Sequence, residues 1–108
     1  SSLIIPEGIH TIQDFAFSSC VNLKQIILPE SLQSIGYEAF YGCDDLTSLA
    51  IPDSVTEIGN MAFKYCSALS KITFEGTVEE WGLVVKGNDW INGTRVNQIE
   101  CSNGIVNI

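Results

Sequence analysis

The residues of this chain with chemistry to offer are four cysteines, a single histidine and an excess of carboxylates. Cys20, Cys43 and Cys66 stand 23 residues apart, with Cys101 a further 35 along. Neither spacing matches a zinc-ligand pattern. Residues at one phase of a stacked repeat would lie about 4.8 Å apart with parallel Cβ directions. A disulfide needs Cβ atoms about 3.5–4.5 Å apart and turned toward each other. The three are therefore expected as small apolar thiols in a core, while a bridge from Cys101 to Cys66 stays open. His10 occupies a place where the equivalent residues are Gln33 and Thr56, a variable solvent site rather than a base held against an acid or nucleophile. Glu7, Glu30 and Asp53 form an acidic column. Calcium takes oxygens at about 2.3–2.6 Å from several directions, and three carboxylates in a line supply too few, so a solvated rim is expected. Asp44 and Asp45 read as a charged corner. No constellation of nucleophile, base and oxyanion donor emerges, so no catalytic residue, metal or cofactor is expected.

What would position these side chains is a repeat. Pro6, Pro29 and Pro52 keep the same step of 23, as do Ile12, Ile35 and Ile58, then Ala16, Ala39 and Ala62, then Phe17, Phe40 and Phe63, then Leu23, Leu46 and Leu69. A fixed period of about 20–29 residues with apolar positions at constant phase is the signature of a leucine-rich-repeat stack. Each turn opens with a short strand: Leu3 to Ile5, Ile26 to Leu28, Leu49 to Ile51 and Ile72 to Phe74. Strand period is two, so the outer residues of each triplet share the inward face and the middle one points out. Proline ends the first three strands because it cannot donate to the ladder. A second extended piece follows, with Ile9, Leu32 and Val55 three residues before the isoleucine column. Gly36 and Gly59 then turn the chain, with Gln13 at that place in the first turn. One helical turn, Asp14 to Cys20 and its equivalents, brings alanine and phenylalanine into the core together.

After Phe74 the period dissolves. Thr77-Val78-Glu79-Glu80 has the form of a capping box, so a short helix is expected through Trp81 to about Val85. Trp81 falls 23 residues after Ile58 and reads as a wider plug in that column. Lys86 to Asp89 breaks the helix, Trp90 to Arg95 forms a loop, and Arg95 to Cys101 with Ile105 to Ile108 reads as two strands joined at Ser102-Asn103-Gly104. This tail would cover the end of the stack, which otherwise shows its core and edge to water.

With 13 acids against 5 bases, a formal net charge of −8 opposes nucleic acid and anionic membrane surfaces. No apolar run reaches the roughly 18 residues that span a bilayer, so no membrane insertion is expected. The chain starts in mid-repeat without a methionine, as an excised C-terminal piece of a longer protein would. Removing preceding turns would bare an edge strand, so such fragments are expected to pair end to end.

The runs Ile35-Gly36-Tyr37-Glu38-Ala39-Phe40-Tyr41-Gly42-Cys43 and Leu49-Ala50-Ile51-Pro52-Asp53-Ser54-Val55-Thr56-Glu57-Ile58-Gly59 resemble the BspA-type leucine-rich repeat of bacterial surface proteins. Phe74-Glu75-Gly76-Thr77, Glu80-Trp81, Trp90 and Glu100-Cys101-Ser102-Asn103-Gly104 resemble that family's ending. The first turn departs with Glu7-Gly8-Ile9 in place of the usual acid-serine-valine. The resemblance implies an exported or cell-surface protein, often of gut or oral anaerobes, whose repeats attach to host matrix proteins, other cells or other bacteria. An anaerobic habitat would fit unpaired cysteines in an exported chain. The resemblance carries over no catalytic residue and no particular partner.

The fold expected is an α/β solenoid, a leucine-rich-repeat superhelix right-handed as parallel crossovers are, with a parallel concave sheet and a C-terminal helix plus β-hairpin cap. Repeats would occupy 1–74, about three and a half turns, and the cap 75–108, in a single structural domain. The concave face carries the candidate binding residues: Ile4, Ile27, Ala50 and Thr73 in one outward column, Gln25, Ser48 and Lys71 in the one before it. An apolar row there suits a protein partner, although β-branched residues also favour strands whichever way they face. A glycan site on this face would call for aromatic residues, and it has none. Four strands about 4.8 Å apart and five residues of about 3.3 Å each give roughly 300 Å², short of the ~800 Å² per partner of a standard interface. The functional expectation is a non-enzymatic surface or secreted adhesion module, the alternative being a passive spacer or scaffold repeat.

Overall fold

A computed structural model describes all 108 residues, an object of 32 × 30 × 23 Å. Two rows of parallel strands run along it. The first comprises β1 (Ser2–Ile4), β3 (Gln25–Ile27), β5 (Ser48–Ile51), β7 (Lys71–Phe74) and β9 (Gln98–Cys101), with β10 (Gly104–Asn107) returning antiparallel to β9. The second stacks β2 (Thr11–Ile12), β4 (Ser34–Ile35), β6 (Glu57–Ile58) and β8 (Val85–Lys86). A single short helix, α1 (Val78–Leu83), lies between β7 and β8. The α/β leucine-rich-repeat solenoid with a helix and hairpin at its C-terminal end is therefore the observed fold.

Register follows the sequence period. Ser2 pairs with Gln25, Leu3 with Ile26 and Ile4 with Ile27; Ser48 pairs with Lys71 and Ala50 with Thr73. The inward residues Ile26, Leu28, Leu49, Ile51, Ile72 and Phe74 are buried, and so are Leu32, Val55, Ile35 and Ile58 from the second sheet side. Phe17, Phe40 and Phe63 stack at 5.3 and 5.1 Å with nearly parallel rings. Trp90 meets Phe63 edge-on, and Trp81 joins Phe74 to Trp90. The aromatic spine thus continues past the last regular turn.

The concave sheet is not continuous. β1 pairs only with β3, and β5 belongs to the ladder that contains β7, β9 and β10. Ile5 N–H donates to Ile27 O at 3.0 Å, but the bond one turn on, from Leu28 to Ala50, is absent. The four expected strands are thus split into two pairs, and a fifth strand, β9, extends the second.

The segment Asp14 to Cys20 is not a helical turn. Ala16, Ser18 and Cys20 donate their N–H groups three residues back, to Gln13, Phe15 and Phe17. The alternate donors Phe15, Phe17 and Ser19 reach across to Tyr37, Ala39 and Tyr41 of the next turn. An α-helix would direct its donors four residues back along its own axis; this ridge of β-turns spends alternate ones on holding turns together. Its geometry needs a left-handed residue at two places per turn: Phe15 and Ser19, Glu38 and Gly42, Met61 and Tyr65, Asp89 and Gly93. Gly36 and Gly59 serve packing rather than turning, since neither has positive φ. A Cβ on Gly59 would stand 2.7 Å from backbone atoms of Gly36 and Tyr37, and one on Gly36 would stand 2.6 Å from Asp14 N.

Beyond Phe74 the chain follows the same course with a longer step. α1 ends at Leu83, with Val84 as its C-cap, rather than running to Val85. Val85 and Lys86 form β8, and Lys86, not Trp81, takes the place opposite Ile58. Gly87 donates to Ile58 O at 2.8 Å, the bond that Gly59 makes to Ile35 and Gly36 to Ile12. Residues expected as a loop repeat the ridge: Met61, Phe63 and Tyr65 donate to Asn88, Trp90 and Asn92. The capping box forms as expected, Thr77 N–H to Glu80 Oε1 at 2.8 Å and Glu80 N–H to Thr77 Oγ1 at 3.1 Å. Asn103 in the hairpin turn accepts from Val78 N–H and donates to Glu79 Oε1, which fastens the hairpin to the helix start. Lys86 Nζ donates to Trp81 O and Val84 O, closing the helix's other end, and lies 4.5 Å from the Trp81 ring centre.

Candidate binding surfaces

The register of the concave strands sets the candidate residues in two outward columns. Ile4, Ile27, Ala50 and Thr73 form one; Ser2, Gln25, Ser48 and Lys71 form the other. Ile4 is 68% exposed and Ile27 48%, whereas the inward Ile26 is buried and the inward Leu3 of the first strand is itself 37% exposed. Gln25, Ser48, Ala50 and Lys71 are exposed and Thr73 is half-buried. The face changes character along the stack, from isoleucine at the N-terminal strands to charge at the C-terminal ones.

Two contributors were not singled out in sequence. Thr73 pairs with Glu100 in β9, so Glu100 extends the central column, and its Oε1 lies 3.8 Å from Lys71 Nζ. The signal was present in Gln98-Ile99-Glu100, whose polar-apolar-polar order matches Lys71-Ile72-Thr73 and whose Ile99 is buried. The second is Glu75, which lines a slot where β3 and β5 fail to pair; Gln25, Ile27, Ser48 and Ala50 also line it. Four of the candidate residues are brought together there, whereas Ile4, Lys71 and Thr73 lie on the strands to either side.

The remaining chemistry-bearing side chains are committed elsewhere. All four cysteines are free. Cys43 and Cys66 donate their thiols to Phe17 O and Phe40 O, at 3.2 and 3.0 Å. The neighbouring Cys43 thiol, and then burial, hold the Cys66 thiol far above the ordinary range; burial also raises Cys20 and Cys101. The thiolate, which is the nucleophile, is disfavoured at all three. His10 is exposed, with Nδ1 3.1 Å from Ser31 O. In the acidic column, Glu7 Oε2 accepts from Glu30 N–H at 3.1 Å, a bond between turns. No helix is long and apolar enough to cross a membrane.

Comparison with known proteins agrees with this architecture. Two solved structures are similar. One is a leucine-rich cell surface protein from Faecalibacterium prausnitzii, 44% identical over 68% of this chain, with a TM-score of 0.65. The other is a leucine-rich repeat protein from Bacteroides ovatus, 30% identical over 85% of this chain, with a TM-score of 0.73. The chain spans 19% and 22% of the lengths of those two proteins. Among curated proteins none matches. Residues 1–108 match the BspA type leucine rich repeat region, in six copies, and the chain belongs to that family.

Proposed function

We propose that this chain is a non-enzymatic binding module of a bacterial surface protein, and that its concave sheet docks a protein, such as a host matrix protein or a protein on another cell. The observation that carries the reading is the outward column Ile4, Ile27 and Ala50, apolar and exposed, with Ile4 and Ile27 on paired strands and Ala50 across the slot from Ile27. Burying such side chains against a partner is favourable by about 25 cal/mol per Å². The family and the surface location in the name of the Faecalibacterium prausnitzii protein support the setting. The small area makes a single copy a weak binder, so affinity would come from many turns or many copies.

The experiment is multivalent display of the chain on a surface against a panel of matrix proteins, with Ile27→Lys beside the unaltered sequence. Binding that the substitution abolishes, with circular dichroism unchanged, is the expected result. No binding by either form would overturn the reading and leave a spacer that links or projects other parts of its parent.

A further inference from the structure

Aromatic side chains missing from the concave face occur on the opposite side of the coil, beside a second groove. That groove follows the line where the second sheet passes into the ridge. Its floor is the backbone of Gly36 and Gly59, which carry no side chain because the turns pack too closely for one. Glu57 forms one wall; Asp14, Tyr37 and Asn60 form the other. Phe15, 53% exposed, meets the Tyr37 ring edge-on at 5.3 Å and widens the aromatic surface.

The polar groups here are half-used. Asp14 Oδ1 accepts from Tyr37 N–H at 2.9 Å, and Asn60 Oδ1 accepts from Asn88 N–H at 2.8 Å. These bonds fix both side chains to the stack while Asp14 Oδ2 and Asn60 Nδ2 keep no partner within the chain, and neither the Tyr37 hydroxyl nor the Glu57 carboxylate has one. Side chains already immobilised lose less entropy on binding. Two carboxylates, an amide and a phenol supply acceptors and donors in the mixture that vicinal hydroxyls need, and an aromatic ring offers its face to the C–H side of a pyranose. Successive turns stand about 4.8 Å apart, close to the advance of one hexose along an extended glycan. An anionic sugar would meet Asp14 and Glu57 as like charges.

We propose that this glycine-floored groove is a binding site for an extended, uncharged oligosaccharide lying along the solenoid axis, about one sugar per turn. It is separate from the concave face, and either site stands without the other.

The test is amide chemical-shift titration of the full chain with cellotetraose, xylotetraose and mannotetraose, each to about 10 mM, a range that captures millimolar affinity. Saturable shifts at Tyr37, Gly59 and Asn60 with at least one of them are expected. Tyr37→Ala should weaken binding about tenfold, the loss of one aromatic contact, and Ile27→Lys should leave it unchanged. No shift with any of the three, equal binding by Tyr37→Ala, or shifts centred on Ile27 and Ala50 would each overturn the proposal. Equal or tighter binding of a tetragalacturonate would overturn the assignment to an uncharged glycan.

Discussion

The first and third turns are built from nearly the same residues and sit in different environments. Ala62, Phe63 and Cys66 are wholly buried, whereas Ala16 is exposed and Phe17 and Cys20 are half-buried. Val55 is buried, but Ile9 at the same phase is 40% exposed. Local backbone is not the cause: Phe17, Phe40 and Phe63 each donate to the following turn at 2.8 Å. The difference is that the third turn is packed on both sides and the first on one. In such a stack a residue's worth is set by its neighbouring turns more than by its own conformation.

The largest break in that equivalence is expected at the phenylalanine column. Phe40→Ala leaves a cavity between two turns and should cost about 3–5 kcal/mol. Phe17→Ala removes a half-buried ring and should cost about 1–2 kcal/mol. Chemical denaturation of both variants, read at matched slope, checks the ratio; equal losses would mean that the first turn is as well packed as the second.

The glycine column sharpens the same contrast at smaller amplitude. Gly59→Ala forces a methyl against backbone of the preceding turn and should destabilise by about 1–3 kcal/mol, the range of an overpacked core. Gln13 stands at that phase in the first turn, and Gln13→Gly should change stability by less than about 1 kcal/mol. Thermal melts of the two variants distinguish a packing requirement from a turn requirement, since a turn requirement would make the first turn gain clearly from glycine.

The smallest effect concerns the left-handed ridge positions. Gly42 and Gly93 occupy them without strain, but Ser19 and Tyr65 do not. Ser19 is exposed, so Ser19→Gly relieves a conformation costing an L-residue about 1–2 kcal/mol and concedes part of that to the freer unfolded chain. A net gain of about 0.5 kcal/mol is expected by denaturant titration.

Much of this was legible in the sequence because a 23-residue step constrains every phase at once. The inward alternation of Ile26, Leu28, Leu49 and Ile51, the phenylalanine stack and the Thr77 capping box follow from residue identity and spacing. The ridge reads as helical in sequence because Asp14 to Cys20 has helix-compatible composition, and the bonding of alternate N–H groups to the next turn leaves no mark on composition. The fourth turn is masked in sequence by α1, which displaces the phase: Glu57 pairs with Val85 and Ile72 with Ile99, so a step of 23 sets Trp81 where Lys86 belongs. Among the candidate surfaces, the outward columns were readable from strand period. The slot at β3 and β5 and the glycine-floored groove were not, because both arise from backbone of adjacent turns that lie more than 20 residues apart in the chain.

Native-state hydrogen exchange at the amides of Phe17, Phe40 and Phe63 tests the coupling between turns most directly, because the three bonds have the same length and acceptor type. Exchange at Phe17 through local opening at least tenfold faster than at Phe40 and Phe63, equivalent to about 1.4 kcal/mol or more of opening free energy, is the expected result. Equal protection at all three would contradict it and show a stack that opens only as a whole.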